Sequence, residues 1–174
     1  MLRTHNCNEL GIENIGQSVV LTGWIETVRD HGGVLFVDLR DHYGVTQIVF
    51  SDDSMISGMS KETVVLVEGK VTKRDEETVN AKISTGMVEV RAEKIEVLGP
   101  CQLGLPFEID SSTQTREEVR LKYRYLDLRN RKIHDNIVLR AKILSYLRSQ
   151  MEEMGFLEIH KEARDSTQDL QFQQ

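Results

Sequence analysis

Only two cysteines, Cys7 and Cys101, occur in 174 residues, and they stand far apart with no CxxC spacing or Cys/His cluster around either. That scarcity excludes a disulfide framework and a zinc site and points to a reducing compartment, the cytoplasm. Long apolar runs are missing as well. The purest, residues 64–67, is far too short to cross a bilayer, and the opening Met-Leu-Arg-Thr-His-Asn has no apolar core of a secretion signal. The five histidines, His5, His31, His42, His134 and His160, are scattered, so no metal site is expected. No Walker loop, HExxH pair or Ser/His/Asp constellation is present, and no residue is assigned a catalytic role. Positive charge is also short: 22 Lys and Arg face 28 Asp and Glu, a formal net charge of −6. Generic coating of DNA or RNA, which depends on phosphate neutralisation, is thereby disfavoured.

What is present suits a folded chain. Apolar residues make up 39% and charged residues 29%, far from the signature of disorder, and the length allows one domain plus part of a second. The charge is unevenly distributed. Residues 116–148 carry ten Lys and Arg against four carboxylates, those of Glu117, Glu118, Asp127 and Asp135. A basic stretch between acidic blocks can meet a polyanion locally while the whole chain stays soluble.

Residues 18–98 read as β structure. Five short runs rich in β-branched residues, at 18–28, 34–40, 45–50, 63–72 and 87–98, alternate apolar and polar positions. His31-Gly32-Gly33 and Asp41-His42-Tyr43-Gly44 supply hairpin turns between the first three runs. Residues 51–60 hold Met55, Ile56 and Met59 at short-helix spacing, between the third and fourth strands. The expected fold is therefore mainly β, a five-stranded OB-fold barrel over residues 1–100, followed by a linker over 101–132 and a C-terminal α-helix. In that helix Ile137, Ala141, Leu144, Leu147 and Met151 recur at three- and four-residue spacing, which predicts one buried face, with Gly155 as the stop. Residues 156–159 read as the start of a strand, and the Gln-rich tail beyond them as poorly ordered.

Period-two alternation turns Leu35, Val37 and Leu39 into the barrel and leaves Phe36, Asp38 and Arg40 outside. An outward Phe36 is either a stacking platform for a base or a ring covered by a loop. Gln47, between Val45 and Val49, either reads the edge of an unstacked base or faces water at a sheet edge. Arg29 could stack on a base or bind phosphate, or be one more surface arginine. Glu89 could accept from base N–H groups or be a solvated strand residue. Asn80 stands in a loop where a turn role is the commoner one. Residues 120–129 interleave cations with Tyr123 and Tyr125, as an RNA-contacting segment or as a connector packed on a neighbouring domain.

Taken together, Gly23-Trp24, residues 29–33, residues 35–41, Gln47-Ile48-Val49-Phe50 and residues 120–129 resemble the bacterial aspartyl-tRNA synthetases, in order over roughly residues 1–159. The resemblance implies an anticodon-binding barrel in which Phe36 stacks on the central uridine of the anticodon and Gln47 hydrogen-bonds it. Arg29 would join that cluster, Glu89 would face the first anticodon base, and Asn80 would line the same loop. His31 stands where members that discriminate between tRNAs often carry Leu, which implies the relaxed type acting on tRNA-Asn as well as tRNA-Asp. Family members use ATP and magnesium to attach aspartate to tRNA in a class II catalytic domain, and they dimerise partly through it. Here residues 133–174 would be only its start: residues 155–159 match its first motif, the Thr-Pro that follows is missing, and residues 162–165 echo a segment that normally comes later. The ATP-binding arginines have no counterpart, so the chain itself is expected to bind tRNA without charging it, and a homodimer is not implied for it. The remaining alternatives are a stand-alone OB-fold module binding RNA or protein, and the matching region of an asparaginyl- or lysyl-tRNA synthetase.

Overall fold

A computed structural model describes residues 3–101 and 104–159. The chain divides into two compact units, residues 1–106 and 107–174. In the first, β1 (Ser18–Asp30), β2 (Leu35–Arg40), β3 (Val45–Phe50), β4 (Val64–Lys73) and β5 (Val88–Gly99) close into a barrel in the order β1-β2-β3-β5-β4. All pairings are antiparallel except β3 with β5. The long β1 makes closure possible. Its first half pairs with β4 and its second half with β2, and a register shift between Ile25 and Thr27 bends it from one partner to the other.

Each strand follows the alternation of its sequence. Leu35, Val37 and Leu39 are buried as expected, and they meet Leu21, Ile25, Ile48, Val67, Val71 and Val90 in one apolar core. The β1–β2 turn places Gly32 and Gly33 at φ 70° and 96°, the positive values that a two-residue hairpin with matching strand twist requires. In the β2–β3 turn the buried Asp41 carboxylate accepts from the backbone N–H groups of Tyr43 at 2.8 Å and Gly44 at 3.0 Å, and also from that of Cys7 at 3.0 Å. Burial, helped by the nearby Asp41 charge, pushes the Cys7 thiol far above its ordinary value. Cys7 is thus a packing group with negligible thiolate character.

Within residues 51–60 the expected short helix is a single 3-10 turn, Asp53–Ile56, with the Asp52 side chain accepting from Ser54 N–H at 2.9 Å. Four residues between two loops give too few i→i−4 hydrogen bonds to repay α-helix nucleation.

The second unit begins with α1 (Glu117–Lys122) and α2 (Arg124–Asp127), then α3 (Arg131–Glu153). Its polar anchor is Asp127, whose side chain is fully buried. Arg120 grips it with two hydrogen bonds of 3.0 and 3.2 Å, and Arg124 adds a third contact. Asn130 caps α3 by accepting from Ile133 N–H, while its amide donates to the carbonyls of Ile109 at 2.8 Å and Asp110 at 3.0 Å. Gly155, at φ 87°, ends the helix as expected: its N–H bonds to Glu152 and that of Phe156 to Met151, both at 2.9 Å.

Two expectations fail here. The apolar face of α3 is exposed, with Ile137 at 42% and Leu147 at 51%, because the described part of its unit offers only α1, α2 and a 3-10 turn at Ser112–Gln114 to cover it. Residues 156–159 form no strand, since a strand exists only by pairing and no described neighbour supplies a ladder. The Gln-rich tail and residues 162–165 lie outside the described residues.

Candidate nucleic-acid interface

The outer face of the barrel carries a groove of about 730 Å³ lined by residues of all five strands, of the β1–β2 turn and of the β4–β5 connection. Arg29, His31, Phe36, Gln47, Asn80 and Glu89, all singled out in the sequence, line it together. Strand register explains the convergence. Phe36 on β2 lies opposite Arg29 on β1 and Val49 on β3, while Asp38 lies opposite Thr27 and Gln47. Outward residues of neighbouring strands thus stand side by side about 4.8 Å apart.

Phe36 is half-buried, with one flank closed by His31, whose ring meets it edge-on at 82° and a centroid distance of 5.4 Å. That T-shaped contact holds the phenyl ring in place while it borders the groove, as a stacking surface requires. Beside it runs a chain of polar contacts across four strands. Thr27 donates to Asp38, Arg29 donates to Asp38 at 2.8 Å and reaches Gln47 Oε1 at 3.4 Å, and Gln47 Nε2 donates to Glu89 at 3.0 Å.

Gln47 does not face water at a sheet edge, the second of its two sequence readings. It is only 4% exposed and its amide is engaged on both sides. One N–H and acceptor capacity on Oε1 remain, so the amide can still donate and accept at a base edge, in an orientation fixed by Arg29 and Glu89. Asn80 combines its two readings: its Oδ1 accepts from Lys82 N–H at 3.0 Å, shaping the turn, while the residue lines the groove.

The sequence reading missed Arg74. It is 8% exposed, it lines the groove, and its Nε and Nη1 are buried without a hydrogen-bond partner. A buried cation with orphaned donors is costly unless a ligand completes it. The signal existed, because the alternation Lys70, Thr72, Arg74 continues the outward face of β4 past the point where the strand was expected to end. With Arg29, Lys73 and Arg91 the groove holds four cations against the carboxylates of Asp75 and Glu89, a local balance opposite to that of the whole chain.

This arrangement suits one or two unstacked bases: a ring to stack on, a fixed amide, a carboxylate for base N–H groups and cations for phosphate. It does not suit metal chemistry. Among the described residues no group of three or more His, Cys, Asp or Glu could hold a metal ion. Among the same residues no helix is long and apolar enough to cross a membrane.

Residues 19–98 match the family of OB-fold nucleic acid binding domains of the tRNA anticodon type, and residues 116–161 match the class II tRNA synthetases (D, K and N). The chain is 48% identical over 160 residues to the aspartate-tRNA(Asp/Asn) ligase of Pelagibacter ubique and 50% identical to that of a Bradyrhizobium species. Each match covers 90% of this chain and 27% of the relative. The chain therefore spans about a quarter of the length of these relatives. The asparaginyl-tRNA synthetase of Pyrococcus horikoshii superposes with a TM-score of 0.74 at 25% identity, over 92% of this chain and 36% of that one. The aspartyl-tRNA synthetase of Entamoeba histolytica, at 20% identity and a TM-score of 0.79 over 92% of this chain and 39% of its own, shows the same fold. The first unit is thus an OB-fold domain of the tRNA anticodon-binding type and the second carries a segment of the class II tRNA synthetases (D, K and N), as in the aspartate-tRNA ligases that the chain resembles.

Proposed function

We propose that the groove binds the anticodon loop of tRNA-Asp as the recognition part of an aspartate-tRNA ligase. The observation that carries this reading is the convergence of Phe36, Gln47, Arg29 and Glu89 on one face through strand register. Phe36 stacks on the central uridine, Gln47 bonds its edge, and Glu89, already oriented by Gln47, faces the first anticodon base. Asn80 and the unpartnered Arg74 close the far side of the loop.

His31, against Phe36, favours use of tRNA-Asn as well as tRNA-Asp. The curated relatives bear the name aspartate-tRNA(Asp/Asn) ligase, which supports the same relaxed specificity. Charging with aspartate, ATP and magnesium belongs to the catalytic domain of the full-length family. A cytoplasmic setting fits this role.

The test is titration with an unmodified aspartate-type anticodon stem-loop, the same loop with its central uridine replaced, and a Phe36→Ala variant. Each change is expected to weaken binding by about 1–3 kcal/mol, the worth of one stacked base. Equal binding of both loops by the unaltered chain would refute the reading.

A further inference from the structure

Beyond the groove, the strand register extends its row of outward residues in one direction only. From Arg29 the row passes through Phe36 and Val49 to Arg91 on β5, and from there to Lys70 on β4. Arg91 lines the groove, and Lys70 lies directly across the strand pair from it. Both are exposed. A tight backbone approach holds them there: a Cβ on Gly69, the residue before Lys70, would collide with the Arg91 carbonyl oxygen.

Two cations directly opposite each other on adjacent strands repel, and proteins usually relieve such a pair with a neighbouring carboxylate. Of the nearby carboxylates two are engaged elsewhere, and Glu93, at the register shift of β5, pairs with neither cation. Glu68 pairs with Lys94 at 3.1 Å and Glu89 accepts from Gln47 at 3.0 Å. Among the described residues neither Lys70 nor Arg91 makes an ion pair or a side-chain hydrogen bond. In a chain with net charge −6, an unpaired and exposed cation pair continuous with a base-sized groove is a surface open to an anion from outside.

We propose that Lys70 and Arg91 hold backbone phosphates of the RNA strand as it leaves the groove, forming a phosphate track beside the base-reading residues. This rests on the RNA-binding reading above and adds where the strand runs. Lys70 stands three strands from Phe36, about 14 Å by strand spacing, so the track engages nucleotides next to the stacked base and not that base itself. Arg91 is the better placed for a forked contact to phosphate, and Lys70 supplies a point charge. Such contacts position the strand and carry no sequence information.

The experiment titrates the full chain, Lys70→Gln, Arg91→Gln and the double variant with the anticodon stem-loop over a range of salt, beside the loop with its central uridine replaced. Each phosphate contact in a single-stranded region contributes about 0.7 to the slope of log affinity against log salt, so the double variant should lose about 1.4 in slope. At physiological salt that is about a tenfold weaker affinity, equal for both loops, so the preference for uridine stays unchanged. Exchanging the two cations, Lys70→Arg with Arg91→Lys, should restore the slope, and the melting temperature of the Gln variants should stay level or rise as the repulsion disappears. An unchanged slope in a chain that still prefers the uridine loop overturns the track and leaves the base-reading groove standing. Loss of the uridine preference with the slope retained also overturns it, by placing these residues at a base. A chain with no uridine preference in its unaltered form would refute the anticodon reading and the track with it.

Discussion

Arg74→Met should make the free barrel more stable while weakening its hold on RNA, two effects of opposite sign from one substitution. Arg74 Nε and Nη1 are buried with no acceptor, and an orphaned buried donor costs about 1–3 kcal/mol. Methionine keeps the apolar stem and removes the charge together with both orphaned donors. Replacement of uncompensated buried charge by an apolar side chain of similar size gains about 1–4 kcal/mol, and some packing loss where the planar guanidinium lay brings the expectation to about 1–3 kcal/mol. For a unit of this size each kcal/mol moves the melting temperature by about 4–8 °C. Trp24, the single tryptophan, sits on β1, so its fluorescence follows unfolding of the barrel without interference from the second unit. On the RNA side, loss of a charge-assisted hydrogen bond costs about 1.5–3 kcal/mol, or roughly tenfold to a hundredfold in affinity for the stem-loop. A variant that melts lower than the unaltered chain yet binds the stem-loop equally well would refute the reasoning and make Arg74 a structural residue whose cost is met elsewhere.

Two more perturbations probe the contacts around the groove and the anchor of the second unit. Glu89→Ala and Gln47→Ala should not be additive in RNA affinity: because Glu89 orients the Gln47 amide, a double-mutant cycle is expected to show a coupling of more than about 0.5 kcal/mol, and additivity would show that the two act on RNA separately. Asp127→Asn should destabilise the second unit by about 1.5–3 kcal/mol through loss of hydrogen bonds to two arginines, read as loss of helical signal in urea. Burial alone would raise the Asp127 carboxyl, but the Arg120 hydrogen bonds and both arginine charges outweigh it and hold the group below its ordinary 3.8. A depressed carboxyl stabilises above its unfolded value and loses that contribution as pH falls through the folded one. The unaltered chain and Asp127→Asn should therefore differ at neutral pH and converge as pH drops below 3.8, and a constant gap would count against the ion-pair account.

The barrel was legible because two simple signals agreed along it. Alternation fixed which residues of 35–40 point inward, and Gly32-Gly33 fixed where the chain turns, so strands and register followed from side-chain size and backbone freedom alone. The helix at 131–153 was equally plain from its spacing, and its stop from Gly155. Burial of its apolar face was not, because a hydrophobic stripe states that a surface is to be covered and is silent about whether the same stretch of chain supplies the cover. The strand expected at 156–159 failed for the same reason: β propensity describes one half of a pair.

The candidate site divides along that line as well. Each groove residue could be placed on an outward face by counting in twos, yet what each touches depends on residues tens of positions away, which no local pattern carries. Gln47 and Glu89 lie 42 residues apart, and their hydrogen bond turns an amide that could have faced water into one held at a set angle. Arg74 shows the converse. Alternation could place it beside the outward face of β4, but its distinguishing property is the absence of an acceptor around two buried guanidinium nitrogens, a fact about every neighbour at once that shows only once the barrel has closed. Residues proposed to read a base sit where pattern analysis looks for them, whereas a buried cation with unpartnered donors is recognised by an unmet electrostatic need, which appears only in three dimensions.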